Sequence, residues 1–174
     1  MTNNFFKNKI VIITGGTNSL GKAIASELVT QKADVVIIGN KKDVLLKTVK
    51  EIESLKRKNG RILSVLGDIS TKEGCDTLFR DLRKVVNNFD VLINNDQFFN
   101  VGKFEDEKLE DIAKALNTNV TGTILVTKLA IPILKASQFY LNCGSCPTLR
   151  RFMGSVTGQG LCHVAHSPSR LAKF

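Results

Sequence analysis

Short apolar runs alternate along the chain with segments whose apolar residues recur every three or four positions. The runs are rich in β-branched and aromatic residues and do not alternate with polar ones. This pattern is typical of strands buried on both faces of a parallel sheet. Five strands are therefore predicted, at Ile10–Ile13, Val35–Ile38, Ile62–Leu66, Val91–Ile93 and Phe139–Leu141.

The segments between these runs have the period of amphipathic helices. The apolar stripes comprise Leu20 with Ile24 and Leu28, then residues within 45–55, 78–85 and 109–116, and the last stripe is expected to continue through Ile124 to Leu134. Strands that alternate with helices in this order predict a doubly wound parallel α/β sheet with helices on both faces. The length of 174 residues favours a single domain, 1–174.

Composition narrows the class of protein. The chain is 43% hydrophobic and 24% charged, which is typical of a soluble globular protein. No apolar run approaches the roughly 18 residues that a membrane span needs, and the first residues are too polar for a secretory signal. We therefore expect a cytoplasmic protein without a membrane span. The net charge is +9, but the lysines are scattered, so we expect no nucleic-acid partner.

A glycine-rich turn follows the first predicted strand and precedes the first predicted helix. It reads Thr14-Gly15-Gly16-Thr17-Asn18-Ser19-Leu20-Gly21. Glycines allow the backbone to approach a pyrophosphate closely, and the amides and dipole of the helix then stabilise its negative charge. The turn therefore predicts a dinucleotide site.

The turn resembles the TGxxxGxG motif of the short-chain dehydrogenase/reductase family, with Ser19 at the position of the middle glycine. Further similarities follow in the order that the family has them. They are Asp68 after strand 3, Leu92-Ile93-Asn94-Asn95 for the start of LxNNAG, Asn119-Val120-Thr121-Gly122 in the long fourth helix, and Asn142-Cys143-Gly144-Ser145 after strand 5. The resemblance covers residues 8–145 and implies a Rossmann-type, NAD(P)-binding domain.

The resemblance implies which residues meet the cofactor. These are Gly15, Thr17, Asn18, Ser19, Leu20, Gly21, Asn40, Lys41, Asp68, Ile69, Asn95 and Val120, with Asp68 at the adenine ring. Asp96 and Gln97 stand where the family has alanine and glycine, beside the expected path of the nicotinamide ribose. Serine at position 19 has a Cβ that crowds the turn, so we expect weakened binding of the cofactor.

The end of strand 2 bears on the choice of cofactor. NAD-dependent proteins usually have an acidic residue there, which binds the ribose hydroxyls. Here the strand runs into Asn40, Lys41 and Lys42, and no acid occurs before Asp43. A 2′-phosphate meets these lysines favourably. We expect NADP(H) as the preferred cofactor, with NAD(H) as the alternative.

The catalytic residues match the family only in part. The family transfers a hydride between cofactor and a carbonyl or alcohol, using a serine, a tyrosine and a lysine four residues after the tyrosine. Ser145 matches the serine, but the only tyrosine, Tyr140, precedes it. The nearest similar segment has His166 for the tyrosine and Arg170 for the lysine. The candidate catalytic residues are Ser145, Asn119, His166 and Arg170, and a catalytically inactive, dinucleotide- or partner-binding remnant is the alternative.

Residues 146–174 differ from the rest of the chain. They hold a single lysine and both histidines, and no clear strand or long helix is predicted after Tyr140. Because the family continues with further strands, we expect a truncated or foreign end, and the oligomeric state stays open. Cys143-x-x-Cys146 followed by Cys162-x-x-x-His166 has zinc-ligand types. Zinc and a redox Cys-x-x-Cys are alternatives, and no metal is expected.

Overall fold

The computed structural model describes residues 4–55, 59–100, 103–142 and 163–166. Within them, six strands form one sheet in the order β3-β2-β1-β4-β5-β6. The strands are β1 (Ile10–Ile13), β2 (Asp34–Gly39), β3 (Ile62–Leu66), β4 (Phe89–Asn94), β5 (Leu134–Asn142) and β6 (His163–His166). The strands β1 to β5 are parallel, which confirms the doubly wound α/β sheet.

Helices connect the parallel strands as the periodicity predicts. They are α1 (Ser19–Thr30), α2 (Lys42–Glu53), α3 (Lys72–Val85), α4 (Leu109–Leu116) and α5 (Thr123–Ala130). A π-helical turn, Asn117–Gly122, joins α4 to α5, so that the predicted long fourth helix runs without a break from Leu109 to Ala130. That helix ends earlier than Leu134, which instead begins β5.

The prediction that no strand follows Tyr140 is wrong in one place. The strand β6 pairs antiparallel with β5, with Asn142 opposite His163 and Phe139 opposite His166. Its sequence, His-Val-Ala-His, is too short and too weakly apolar to be recognised as a strand from its pattern. Its pairing depends on the edge of β5, which offers unpaired backbone groups to any extended segment that reaches it.

The core lies in two layers, one on each face of the sheet, because successive residues of a strand point to opposite faces. In β1, Ile12 packs in one layer and Val11 and Ile13 pack in the other. The thiol of Cys75 is buried in the first layer, and burial raises its pKa to about 11. Among the described residues, no helix is long and apolar enough to cross a membrane.

Leu78 in α3 is fully buried, whereas Leu46 in α2 is half exposed. Leu78→Ala is expected to lower the free energy of unfolding by about 2–5 kcal/mol, because it removes buried methyl groups and leaves a cavity. The matched change Leu46→Ala is expected to alter it by less than about 0.5 kcal/mol. Urea unfolding followed by circular dichroism measures both, and equal losses would contradict the packing of α3 against the sheet.

Candidate functional site

The glycine-rich turn between β1 and α1 lies at the carboxyl edge of the sheet. Gly15 has a φ of +62°, a left-handed conformation that glycine adopts without strain. A Cβ on Gly15 would lie 2.7 Å from the Cα of Asp96, in the loop after β4. Glycine is therefore required at this position by both the backbone conformation and the close approach of the second loop.

The turn is fixed to the strands on either side of β1. The amide of Thr14 donates to the carbonyl of Ile93 in β4 (3.0 Å), and the amide of Gly16 donates to the carbonyl of Ile38 in β2 (3.0 Å). The strand order places β2 and β4 on opposite sides of β1, since the chain turns to the other half of the sheet between β3 and β4. The turn thus lies at the topological switch point of the sheet, where open α/β sheets bind their ligands.

Thr14 and Asn95 clamp the turn to the loop after β4. The hydroxyl of Thr14 accepts hydrogen bonds from the amides of Asn95 (3.0 Å) and Asp96 (3.1 Å). In return, the side-chain amide of Asn95 donates to the carbonyls of Thr14 (3.1 Å) and Gly15 (3.0 Å). Thr14 and Asn95 are both buried, so these bonds satisfy polar groups that water does not reach.

The first turn of α1 is capped by Asn18. Its side-chain oxygen accepts a hydrogen bond from the amide of Gly21 (2.8 Å), and the amide of Lys22 donates to its carbonyl (2.9 Å). Among the described residues, the amides of Ser19 and Leu20 meet no acceptor. Two amide donors at the positive end of the helix dipole are therefore left for an anion.

The end of β2 forms the next wall of the site. A Cβ on Gly39 would lie 3.1 Å from the side-chain methyl of Thr17 and 3.2 Å from its hydroxyl, so Thr17 lies over the strand end. Asn40, Lys41 and Lys42 follow and are exposed. Neither lysine forms an ion pair with any described residue. Their charges are free to meet an anion at this edge.

Asp68 and Ile69 follow β3 at the same edge. A side-chain oxygen of Asp68 accepts from the amide of Ser70 (2.9 Å), which orients the carboxyl group. Ile69 is buried, and Gly122 allows the helix after α4 to approach its carbonyl more closely than a Cβ would permit. The loop after β3 is therefore packed directly against the segment that carries Val120.

Asn119 lies in the π-helical turn and holds the loop after β4. Its side-chain oxygen accepts from the amide of Phe98 (2.7 Å), and its side-chain amide donates to the carbonyl of Phe98 (2.8 Å). The amino group of Lys114 lies 4.3 Å from the centre of the Phe98 ring, a cation–π contact on the same loop. Asn119 thus joins the π-helical turn of the long helix to the loop after β4.

Asp96 has the strongest electrostatic perturbation at this edge. Its carboxyl group is mostly buried, and this burial, with the negative charge of Asp68, raises its pKa from 3.8 to about 6. A hydrogen bond from the backbone of Gln97 lowers the pKa and offsets part of that rise. Near neutral pH, the ionised form of Asp96 is therefore present at this edge of the sheet at an energetic cost.

The structure brings all twelve predicted cofactor-binding residues to the carboxyl edge of the sheet or to the elements packed on it. They are Gly15, Thr17, Asn18, Ser19, Leu20, Gly21, Asn40, Lys41, Asp68, Ile69, Asn95 and Val120. Their contacts with a cofactor stay predictions. Sequence reasoning missed the structural role of the Thr14 hydroxyl, because a threonine that opens the turn gives no sign of its partners across the sheet.

The structure describes only two of the four predicted catalytic residues, Asn119 and His166. Asn119 lies at the site edge, whereas Ser145 and Arg170 lie outside the described residues, as do Cys143, Cys146 and Cys162 of the zinc and redox alternatives. The backbone of His166 lies opposite Phe139, three residues before the end of β5. At about 3.3 Å per residue, this is roughly 10 Å from the carboxyl edge. The catalytic role of His166 stays a prediction.

The clamp can be tested at Thr14. Thr14→Val keeps the shape of the side chain but removes the acceptor of two buried amides, and is expected to cost about 1–3 kcal/mol of unfolding free energy. Thr14→Ser keeps the hydroxyl and is the matched control, expected to cost about 1 kcal/mol or less for the lost methyl group. Chemical unfolding measures both, and an equal loss in the two variants would argue against the hydrogen-bonded clamp.

The raised pKa of Asp96 predicts a pH-dependent loss of stability. The folded state holds the proton more tightly than the unfolded chain, so this carboxyl group lowers stability as the pH rises from about 4 through about 6. Asp96→Asn is expected to stabilise the protein by about 1–3 kcal/mol at pH 8 and by almost nothing near pH 4. Unfolding curves at both pH values check this, with exposed Asp106→Asn as the control. A gain that is equal at both pH values would contradict it.

Known proteins with similar sequences include dehydrogenases and oxidoreductases. The chain is 33% identical over 124 residues to glucose 1-dehydrogenase 2 of Bacillus subtilis, covering 71% of this chain and 47% of that protein. It is 30% identical over 151 residues to the NADP-dependent (R)-specific alcohol dehydrogenase of Lentilactobacillus kefiri, covering 87% of this chain and 58% of that protein. The chain spans about half the length of the curated relatives that it matches.

Solved structures with the same fold include a short-chain dehydrogenase from Burkholderia cenocepacia in complex with NADP. It has a TM-score of 0.71 and 28% identity, covering 83% of this chain and 58% of that one. An NADH-dependent reductase responsible for alginate metabolism has a TM-score of 0.62 and 27% identity, covering 77% of this chain and 54% of that one. The family model described as short chain dehydrogenase matches residues 9–139. Because that match spans most of the sequence, the chain belongs to the short-chain dehydrogenase/reductase family.

Proposed function

We propose that this chain binds a nicotinamide dinucleotide at the carboxyl edge of the sheet. The observation that carries the proposal is the pair of free amides, those of Ser19 and Leu20, at the start of α1 beside the left-handed Gly15. Backbone donors at a helix N-terminus, reached through a turn without a Cβ, suit a pyrophosphate. The family relationship and the cofactor complexes of similar structures support the same ligand.

The described residues would border such a cofactor from the adenine to the nicotinamide ribose. Thr17, Asn40 and Lys41 at the end of β2 would surround one ribose, and Asp68 and Ile69 would border the adenine. The clamp of Thr14 and Asn95 would hold the floor of the site rigid under the pyrophosphate. Val120 and the Asn119-bound loop would lie toward the nicotinamide end. When bound, the nicotinamide ring supplies or accepts a hydride.

NADP(H) is the proposed preference. The end of β2 offers the neutral Asn40 and the exposed Lys41 and Lys42, neither of which forms an ion pair with a described residue. An acid at this position would repel a 2′-phosphate. Among the relatives, an NADP-dependent alcohol dehydrogenase and an NADP-bound dehydrogenase point the same way, whereas an NADH-dependent reductase does not. The proposed preference for NADP(H) over NAD(H) therefore rests on the positive charge at the end of β2.

The proposed activity is the transfer of a hydride between NADP(H) and a small carbonyl or alcohol substrate. In that reaction the protein positions the substrate oxygen and handles its proton. Ser145 is proposed to position the oxygen, and His166 with Arg170 is proposed to take the place of tyrosine and lysine. Asn119 would act by shaping the helix and the loop it holds.

A second candidate is a dinucleotide-binding protein without catalysis. It is favoured by one observation: the only tyrosine of the sequence, Tyr140, lies within β5 and before Ser145. A panel of ketones and alcohols with NADPH or NADP+ separates the two candidates. Turnover supports the oxidoreductase, and binding without turnover supports the inactive protein. A gain of turnover in the His166→Tyr, Arg170→Lys double variant would assign the inactivity to those two positions.

The cofactor preference is tested by titrating the protein with NADPH and NADH while following fluorescence. The double change Lys41→Ala, Lys42→Ala is expected to weaken NADPH binding by roughly tenfold, because two charges near the 2′-phosphate are lost, and to leave NADH binding within about twofold. The double change Lys47→Ala, Lys50→Ala removes two exposed lysines further along α2 and is the control. Equal weakening of both cofactors by the first variant would contradict the assignment.

Ser19 tests the anion site at α1 directly. Ser19→Glu places a carboxylate in the first helical turn, which suits the helix dipole and should preserve the fold, yet it repels a pyrophosphate. We expect Ser19→Glu to weaken the binding of both dinucleotides at least about tenfold, and Ser19→Gly to strengthen it a few-fold. Thermal unfolding verifies that both variants are folded. Unchanged affinity in Ser19→Glu would place the phosphates elsewhere.

A further inference from the structure

Asp96 lies against the turn that presents the start of α1. Its amide donates to the hydroxyl of Thr14 (3.1 Å), and its Cα lies 2.7 Å from the position that a Cβ on Gly15 would take. The glycine-rich turn and the loop after β4 are therefore too close for a side chain to fit between them at position 15. Asp96 is thereby held next to the glycine-rich turn, at which the dinucleotide is proposed to bind.

Among the described residues, no positive charge lowers the pKa of this carboxyl group. Lys114, the cation that contacts the same loop, lies over the ring of Phe98. The turn 14–21, the end of β4 and the π-helical turn that packs beside the loop carry no charged side chain at all. The neighbouring charge that acts on Asp96 is the carboxylate of Asp68, after β3. Asp96 joins none of the ion pairs formed among the described residues, and Lys22 in the first turn of α1 is already paired with Glu51.

We propose that dinucleotide binding at this site takes up one proton from solvent, and that the side chain of Asp96 holds it. This inference rests on the proposed function, since it concerns the same cleft. A pyrophosphate at the start of α1 would bring two further negative charges to the edge that already carries Asp68 and Asp96, which disfavours the carboxylate form of the more buried Asp96. The neutral acid removes that repulsion and offers an O–H donor to an oxygen of the ligand.

The titration of Asp96 supports this arrangement. Because the pKa of Asp96 in the free protein is about 6, its carboxyl group is mostly ionised near neutral pH. It can therefore take up a proton when an anionic ligand binds. The sign follows from linkage. Affinity for the dinucleotide is highest below the pKa of the free protein, falls as the pH rises above it, and levels off once the bound form is also ionised.

The test uses the full chain and NADH. NADH lacks the 2′-phosphate of NADPH, whose second pKa of about 6 would titrate in the same range, and it lacks the positive charge of the oxidised nicotinamide ring, which would favour the carboxylate form of Asp96. Isothermal titration calorimetry near pH 7, in two buffers of different ionisation enthalpy, measures the protons taken up on binding. We expect an uptake of about half a proton to one proton and an affinity that falls about tenfold between pH 6 and pH 8.

Three variants assign the proton. Asp96→Asn is expected to bind more tightly at pH 8, with no proton uptake and a flat pH profile, and Asp96→Ala is the second variant in case the first is misfolded. Asp68→Asn removes the neighbouring charge and should reduce the uptake without abolishing it. Asp106→Asn, at an exposed acid away from the site, should behave as the unchanged protein.

The outcomes separate this inference from the proposed function. Binding of NADH with no proton uptake, or uptake that persists in both Asp96 variants, overturns the role of Asp96 and leaves the dinucleotide site standing. Absence of binding at every pH, in the unchanged protein and in the Asp96 variants alike, overturns the proposed function itself. Binding that is seen only below about pH 6 in the unchanged protein, but at every pH in Asp96→Asn, supports the inference most directly.

Discussion

The contact between Thr14 and Asn95 is the constraint on which the geometry of the site depends. One threonine hydroxyl accepts two amides, which uses both of its lone pairs, and the asparagine side chain returns two bonds to the turn. These bonds tie together two loops that are about 80 residues apart in the chain and that follow strands lying side by side. Because the bonds are buried, breaking one of them leaves a polar group without water.

That contact explains why the turn needs its glycines. With the loop after β4 held this close, a Cβ on Gly15 would collide with Asp96, and a Cβ on Gly21 would reach the carbonyl of Gly15 and the side chain of Asn95. The serine at position 19 is tolerated by the backbone, because Ser19 is the first residue of α1 and has no need of a left-handed conformation. The Ser19 side chain is therefore expected to affect the binding of the ligand and not the conformation of the turn.

The parallel strands and their helices could be predicted from the sequence, since buried strands and amphipathic helices each leave a periodic pattern. The short β6 could not, because its pairing depends on β5 and not on its own residues. The sequence pattern predicts a helix at position 134 for a related reason. Leu134 is apolar and in phase with the preceding stripe, yet it is buried as the first residue of a strand opposite Phe89.

In the site too, features that depend on neighbouring residues can be predicted from the sequence, and features that depend on distant residues cannot. The residues of the glycine-rich turn are local in sequence, so their pattern can be read, whereas the environment of Asp96 is made by Thr14, Gly15 and Asp68 from two other loops. An exposed aspartate would have its ordinary pKa, and nothing in the sequence around residue 96 distinguishes the two cases. A mostly buried acid beside a second acid costs about 1–3 kcal/mol when ionised, and such a cost is offset elsewhere in the fold. This cost is tolerated at the carboxyl edge of the sheet, where protonation of Asp96 would remove a repulsion from an anionic ligand.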